Sequence, residues 1–373
     1  MITPINNPSK KYLIAKIPSS GFSNILLELE IALSISYISN RTLILSNLDH
    51  CHGIIPSQSW ESVWDVIDKD AVQQEFDVEF EFGENFRHLT NIKKYLNKID
   101  TDYFHNAENN QDTLFYNDQD ITNFTEFKNF VNDRTTFNIS RLEKYLVVDI
   151  ALGHFFYNLY LEKFQDRNTL KRKIINAIKY KSKYVNTVDT LIKSKYKNYN
   201  AIHIRYPWFN RGEPSGSFQP DEINIQHRPD LLYKQVELFY RKDYPLYIST
   251  DLAQTSKAYN HNIDPNEYLD PIRKNYHVIT VDDLQLSLTE TEKIAIDQIA
   301  CSSADIFYGT YYSTFSKRIN ILRGINGLPA YDYMGWDKMQ DPWMEIKSPY
   351  PWKILNKGWL WYYSSYLHYT FEN

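Results

Sequence analysis

Residues 295–324 read AIDQIACSSADIFYGTYYSTFSKRINILRG. This stretch decides the fold, because it spells a helix, a short buried strand, a tight turn and a second helix in immediate succession. Asp297 falls in the first helix. Ile306-Phe307-Tyr308 is the apolar strand, which ends at Gly309, and Ser313-Thr314-Phe315 opens the second helix. A helix start carries unpaired N–H groups at the positive end of its dipole, a ready site for phosphate. Ser313 and Thr314 add hydroxyl donors. Asp297 is a single carboxylate able to select a base with adjacent N–H donors, as guanine has. The plainer alternative is a generic strand–turn–helix in which Ser313 only caps the helix.

Here the chain resembles the GDP-fucose protein O-fucosyltransferases and the related α1,6-fucosyltransferases. Asp297 stands sixteen residues before Ser313. The resemblance implies that Asp297 holds guanine and that Ser313, Thr314 and Phe315 hold the diphosphate.

A second motif lies in AIHIRYPWFNRGE, residues 201–213. His203 and Arg205 alternate at the end of the predicted strand Asn200–Arg205, so they share a face. Breaking a sugar–phosphate bond builds negative charge on the departing phosphate, and an Arg fork can take it up across two oxygens. A half-buried strand with a paired Arg is the plain alternative. The family resemblance implies that Arg205 binds the diphosphate and stabilises the leaving nucleotide, and that His203 contacts the nucleotide-sugar. Relatives often carry an acidic residue shortly after this Arg. Here Tyr206-Pro207-Trp208 intervenes, and Glu213 follows later as a possible substitute. Asp100-Thr101-Asp102 matches a metal-binding D-x-D on paper, but no phosphate motif is nearby. A metal-independent enzyme with no cofactor beyond the GDP-fucose donor is therefore expected.

The third motif is SSGFSNILLELEIALSISYISNRTLIL, residues 19–45. Together with the strand Tyr12–Ile17 it reads strand, turn, helix, strand, the βαβ opening of a doubly wound domain. It resembles the family's Gly-Phe-x-Asn turn and N-R-T-L strand, which implies substrate-binding roles for Gly21 and Phe22 and a catalytic role for Asn24. Some relatives place a catalytic Glu two residues before that Phe, where this chain has Ser20. Others rely on an Asn and the Arg, and that mode is expected here. Glu28, one turn beyond Asn24, is a candidate catalytic carboxylate, although exposed positions for Glu28 and Glu30 are the simpler expectation. In YIST-Asp251, Asp251 either touches the nucleotide or caps the next helix, and capping is favoured.

Outside these motifs the reading is coarser. Residues 50–145 read as an irregular region of short helices and strands with a hairpin somewhere among them, and acidic and aromatic residues alternate over Glu75–Phe86. Tyr145–Phe164 and the Lys-rich Asn168–Ile192 read as helices, the latter with a solvated charged face. Arg228–Lys242 is a helix, and Tyr244–Ser249 and Tyr276–Val281 are strands. The tail from Trp336 is rich in Trp and Tyr and contains no repeat.

A length of 373 residues exceeds one core and implies two domains. The expected fold is α/β of GT-B type, two Rossmann-like domains facing across a cleft. Residues 1–195 would form the acceptor-side domain and 196–335 the GDP-sugar-binding domain. Residues 336–373 would be an aromatic tail packing across both. A net charge of −5 disfavours a nucleic-acid partner. Two cysteines, Cys51 and Cys301, imply no disulfide framework, and neither a signal peptide nor a membrane span is read, so a cytoplasmic setting is expected. The expected activity is an inverting, metal-independent transfer of fucose from GDP-fucose to a protein or glycan hydroxyl. The rivals are a different nucleotide-sugar donor and a non-catalytic nucleotide- or glycan-binding relative.

Overall fold

The computed structural model describes residues 12–16, 21–46, 61–81, 114–115, 145–149, 167–205, 229–251, 264–310, 313–328, 331–333 and 343–345. They fall into two compact units, the first running to Tyr180 and the second starting at Lys181. Residues 181–195, which the sequence reading groups with residues 1–180, pack in the second unit.

In the first unit the apolar run YLIAK forms β1 (Tyr12–Lys16), the middle of a five-stranded sheet. β2 (Thr42–Ser46) pairs on one side and β5 (Tyr145–Asp149) on the other, with β3 (Val78–Glu81) and β4 (Leu114–Phe115) at the edges. Every pairing is parallel. Near-continuous apolar strands such as TLIL are what a parallel sheet covered on both faces requires.

α1 (Phe22–Ser39) links β1 to β2, as the βαβ reading expects. The helix is buried on all sides rather than on one stripe: Leu26, Leu29 and Leu33 are within, and so are Ser23, Glu28, Glu30 and Ser34. It ends at Asn40, whose left-handed backbone (φ 51°) lets Arg41 N–H reach Ser36 O at 3.0 Å.

One expectation is corrected here. Tyr145–Asp149 is a strand, not the start of a helix; its β-branched pair and aromatic favour strand, and a short apolar run fits either period. Val78–Glu81, within the region read as short helices and strands, is a strand that pairs parallel to β2. Residues 150–164 lie outside the described residues.

α2 (Lys69–Glu75) is capped by Asp68, whose Oδ1 accepts from Asp70 N–H at 3.0 Å. It packs on α3 (Arg167–Ala177), which buries Leu170, Ile174 and Ala177 one turn apart. The Lys-rich helix of the sequence reading breaks after α3. At the break Asp68 N–H donates to Lys179 O at 2.9 Å and Ile67 bridges Tyr180. α4 (Ser182–Val188), continued by a π-turn at Asp189–Lys193, then packs in the second unit.

The second unit holds β6 (Asn200–Ile204), α5 (Pro229–Phe239), β7 (Leu246–Thr250), α6 (Pro265–Arg273), β8 (Val278–Ile279), α7 (Glu290–Ser303), β9 (Ile306–Thr310), α8 (Thr314–Ile325), β10 (Tyr331–Tyr333) and β11 (Trp343–Glu345). The sheet order is β11-β10-β9-β6-β7-β8, and only β11 runs antiparallel. β9 extends one residue past Gly309, and the strand expected over Tyr276–Val281 shrinks to Val278–Ile279. The described part of the aromatic tail, Trp343–Glu345, is an edge strand of this sheet.

From β6 the chain steps outward to β7 and β8, then returns across β6 to β9 and β10. Such a reversal makes a crevice at the carboxyl ends of the two strands beside it, here β6 and β9. One face of the sheet is a hydrophobic core in which Ile202, Ile204, Leu246 and Ile248 meet Leu232 and Val236 of α5 and Leu269 and Ile272 of α6. The alternate residues His203, Tyr247 and Ser249 point to the other face, toward α7 and α8. Both units carry the parallel sheets and crossover helices expected of Rossmann-like domains, which bears out the α/β class.

Candidate functional site

α7 begins with a capping box. Thr289 Oγ1 accepts from Glu292 N–H at 3.3 Å and Glu292 Oε2 accepts from Thr289 N–H at 3.0 Å. Glu292 also accepts from Tyr184 of α4 at 2.6 Å. Two turns into the helix, Asp297 faces β7 and is only 8% exposed. Tyr247 Oη donates to its Oδ1 at 2.6 Å and Ser249 Oγ donates to its Oδ2 at 2.9 Å. Burial pushes the carboxyl up to about 7, although both hydroxyls favour the charged form.

At the end of β6 the imidazole of His203 is buried, and burial, helped by the Arg205 charge, pushes it down to about 3. The ring is therefore neutral at physiological pH. Its Nδ1 lies 2.7 Å from Ser316 Oγ, and its ring stacks on Phe315 with centroids 4.5 Å apart. Arg205 follows at the strand end, partly exposed, with Nε 4.0 Å from Asp251 Oδ2. A carboxylate beside Arg205 is thus supplied by the neighbouring strand end. Capping by Asp251 involves residues outside the described set, as does Glu213.

Ser313 stands at the N-cap of α8, yet its hydroxyl makes no capping bond. It is fully buried and finds no partner among the described residues. The reading of Ser313 as a mere helix cap is not what the structure contains. Thr314 is buried beside it and Phe315 half-buried. The first N–H groups of α8, from Thr314 onward, have no carbonyl partner within the helix.

Arg323, near the end of α8, ties α8 to α7. It is fully buried, and its Nη1 donates to Ala304 O at 2.5 Å and its Nη2 to Asp305 O at 3.1 Å. Nη1 also lies within 3.5 Å of Ser302 O and Cys301 O. A cation on the last carbonyls of a helix answers both their missing partners and the helix dipole.

In the first unit, Gly21 precedes α1 and its carbonyl accepts from Asn24 N–H at 2.9 Å. Phe22 is buried and Asn24 partly so, with Asn24 Oδ1 buried and without a hydrogen-bond partner among the described residues. Glu28 is 1% and Glu30 0% exposed, which overturns the expectation of solvent-facing carboxylates. The apolar environment of α1 encloses both.

The model of the family described as GDP-fucose protein O-fucosyltransferase matches residues 12–326. The chain belongs to this family. It is a glycosyltransferase that draws on GDP-fucose. No curated protein sequence matched. Similar solved structures include POFUT1 in complex with GDP, at 13% identity and TM-score 0.45, covering 84% of this chain and 94% of that one. A mutant of Arabidopsis thaliana FUT1 in complex with GDP is 14% identical at TM-score 0.48, with coverages of 90% and 73%. The fucosyltransferase NodZ from Bradyrhizobium is 14% identical at TM-score 0.44, with coverages of 90% and 99%.

Within this fucosyltransferase the second unit carries His203, Arg205, Asp251, Asp297, Ser313, Thr314 and Phe315 on and around β6, β7, the middle of α7 and the start of α8. Gly21, Phe22, Asn24 and Glu28 belong to the first unit. Sequence reasoning missed Tyr247, Ser249, Ser316 and Arg323. The signal for the first two was present: YIS alternates a phenol and a hydroxyl on one strand face. Ser316 directly follows a motif already singled out. Arg323 had no local signal. Among the described residues no three His, Cys, Asp or Glu side chains form a metal-binding cluster, and no helix is long and apolar enough to cross a membrane.

Proposed function

We propose that this chain transfers fucose from GDP-fucose to a protein or glycan hydroxyl, with inversion at the anomeric carbon and without a metal ion. The observation that carries the reading is the meeting of His203 with Phe315 and Ser316 beside Arg205, at the end of β6. It sets a fixed cation and an open helix start next to the sheet's point of reversal, where a diphosphate is stabilised by both.

In this reading Asp297 accepts from the guanine N–H donors. Ser313, Thr314 and Phe315 present hydroxyls and backbone N–H groups to the diphosphate. His203, neutral, hydrogen-bonds the nucleotide-sugar. The acceptor oxygen attacks the anomeric carbon on the face opposite the phosphate; that carbon–oxygen bond forms as the bond to the β-phosphate oxygen breaks, and the acceptor proton is released. The transition state is oxocarbenium-like. Arg205 takes up the charge that grows on GDP, a role a metal ion would otherwise fill. Asp251 braces Arg205. Asn24 is assigned to orienting the acceptor, with Gly21 and Phe22 shaping the turn that carries it. Glu28, buried in α1 one turn beyond Asn24, is the candidate catalytic carboxylate.

The test is a nucleotide panel. GDP should raise the melting temperature more than UDP, CMP or ADP, and Asp297→Ala should weaken GDP binding more than UDP binding. An equal loss of both would remove Asp297 from base selection. Release of GDP from GDP-fucose alone, unaffected by EDTA, would separate an enzyme from a binding relative. NMR of a glycoside product would read inversion directly.

A further inference from the structure

We infer that Tyr247 and Ser249 are positioning residues for base selection: they hold Asp297 so that one acceptor site on each of its oxygens stays open toward guanine. The inference rests on the reading of Asp297 as the guanine-binding carboxylate. An ionised carboxylate offers about four lone-pair sites. Tyr247 Oη fills one on Oδ1 and Ser249 Oγ fills one on Oδ2. The remaining pair matches two adjacent N–H donors spaced like the N1–H and N2–H of guanine. Tyr247 and Ser249 alternate on one face of β7, and register sets Ser249 opposite His203 of β6. The grip on Asp297 is thereby built into the same strands that carry the phosphate-side residues.

The two hydroxyls also decide the charge of Asp297. Both are donors to it, so both favour the ionised form against burial. The other groups acting on this carboxylate are Asp282, which opposes ionisation, and Lys293, which favours it; the two pair with each other at 3.0 Å. Cys301, one turn further along α7, is buried and uncharged, burial pushing its thiol up. Only the ionised carboxylate accepts from both guanine donors, so GDP affinity falls as pH drops through about 7. Removing a hydroxyl moves that fall to higher pH.

The experiment is calorimetric titration of GDP into the wild type, Tyr247→Phe, Ser249→Ala and Asp297→Asn between about pH 6 and 8.5. Taking the ratio of each variant to the wild type at every pH cancels the titration of the nucleotide itself. Tyr247→Phe and Ser249→Ala are expected to bind about tenfold more weakly at pH 7 and within roughly threefold of wild type at pH 8.5. Asp297→Asn is expected to be weak throughout. If Asp297→Asn bound GDP normally, base reading by this carboxylate would fall, and this inference with it. If that variant were weak but both hydroxyl variants matched wild type, the base reading would stand and the positioning role would be overturned. A loss in the hydroxyl variants that stayed constant with pH would mean a structural role only, and would equally overturn it.

Discussion

The Nδ1 atom of His203 lies 2.7 Å from the hydroxyl of Ser316, although 113 residues separate them. The bond joins the end of β6 to the first turn of α8, and it commits one ring nitrogen. Burial keeps the ring neutral, and this hydroxyl holds its Nδ1 side toward α8.

Ser316→Ala should leave a buried nitrogen without its partner. The expected cost is about 1–3 kcal/mol of stability, with a several-fold rise in the donor KM. Ser316→Thr keeps the hydroxyl and should restore the KM. Denaturant unfolding and donor saturation curves on both variants check this; an unchanged KM in Ser316→Ala would show that His203 needs no such support.

Arg205→Ala should abolish transfer while the fold persists. Loss of one preorganised charge stabiliser costs roughly 10²–10³ in kcat, or about 3–4 kcal/mol. Arg205→Lys should recover little, since a point charge cannot replace the fork. Asp251→Asn should reduce kcat less, because the partner at 4.0 Å guides the guanidinium without supplying its charge. Circular dichroism and steady-state kinetics on the three variants give the ranking.

Asp297 links function to stability with a definite sign. Its folded value is raised from 3.8 to about 7. Between those values the native protein holds a proton that the unfolded chain has released. Stability therefore falls as pH rises through that window and stays lowered above it, by about 4 kcal/mol at full effect. Asp297→Asn should melt higher than wild type at pH 8, and the gain should vanish near pH 4. Thermal melts at the two pH values read it, and a gain that did not depend on pH would refute the ionisation argument.

Arg323→Met is expected to destabilise by about 3 kcal/mol, because the carbonyls at the end of α7 lose their donor inside the protein. The loosened helix carries Asp297, so GDP affinity should drop as well. Arg323→Lys reaches fewer carbonyls and should fall between the two. Hydrogen exchange across 290–305 would locate the change.

Much of this molecule was legible as sequence. The βαβ opening, the strands carrying His203-x-Arg205 and Thr250-Asp251, and the helix–strand–helix around Asp297 and Ser313 all follow from short-range pattern. Each reading needed only the period of one element and the identity of its end residues. Where two periods fit, as in the five residues Tyr145–Asp149, the reading failed. Where burial depended on neighbours, as for Glu28 and Glu30, it also failed, since the polar residues of a helix say nothing about what covers it.

The sequence by itself determined which elements exist and which residues stand at their ends, because helix and strand geometry repeat over a few residues. Only the tertiary structure decided that Asp297 is gripped by Tyr247 and Ser249, that Ser316 sets the ring of His203, and that Arg323 closes α7. These partners lie 18 to 113 residues apart, and what brings them together is strand order and register in one sheet, a property of the assembled chain.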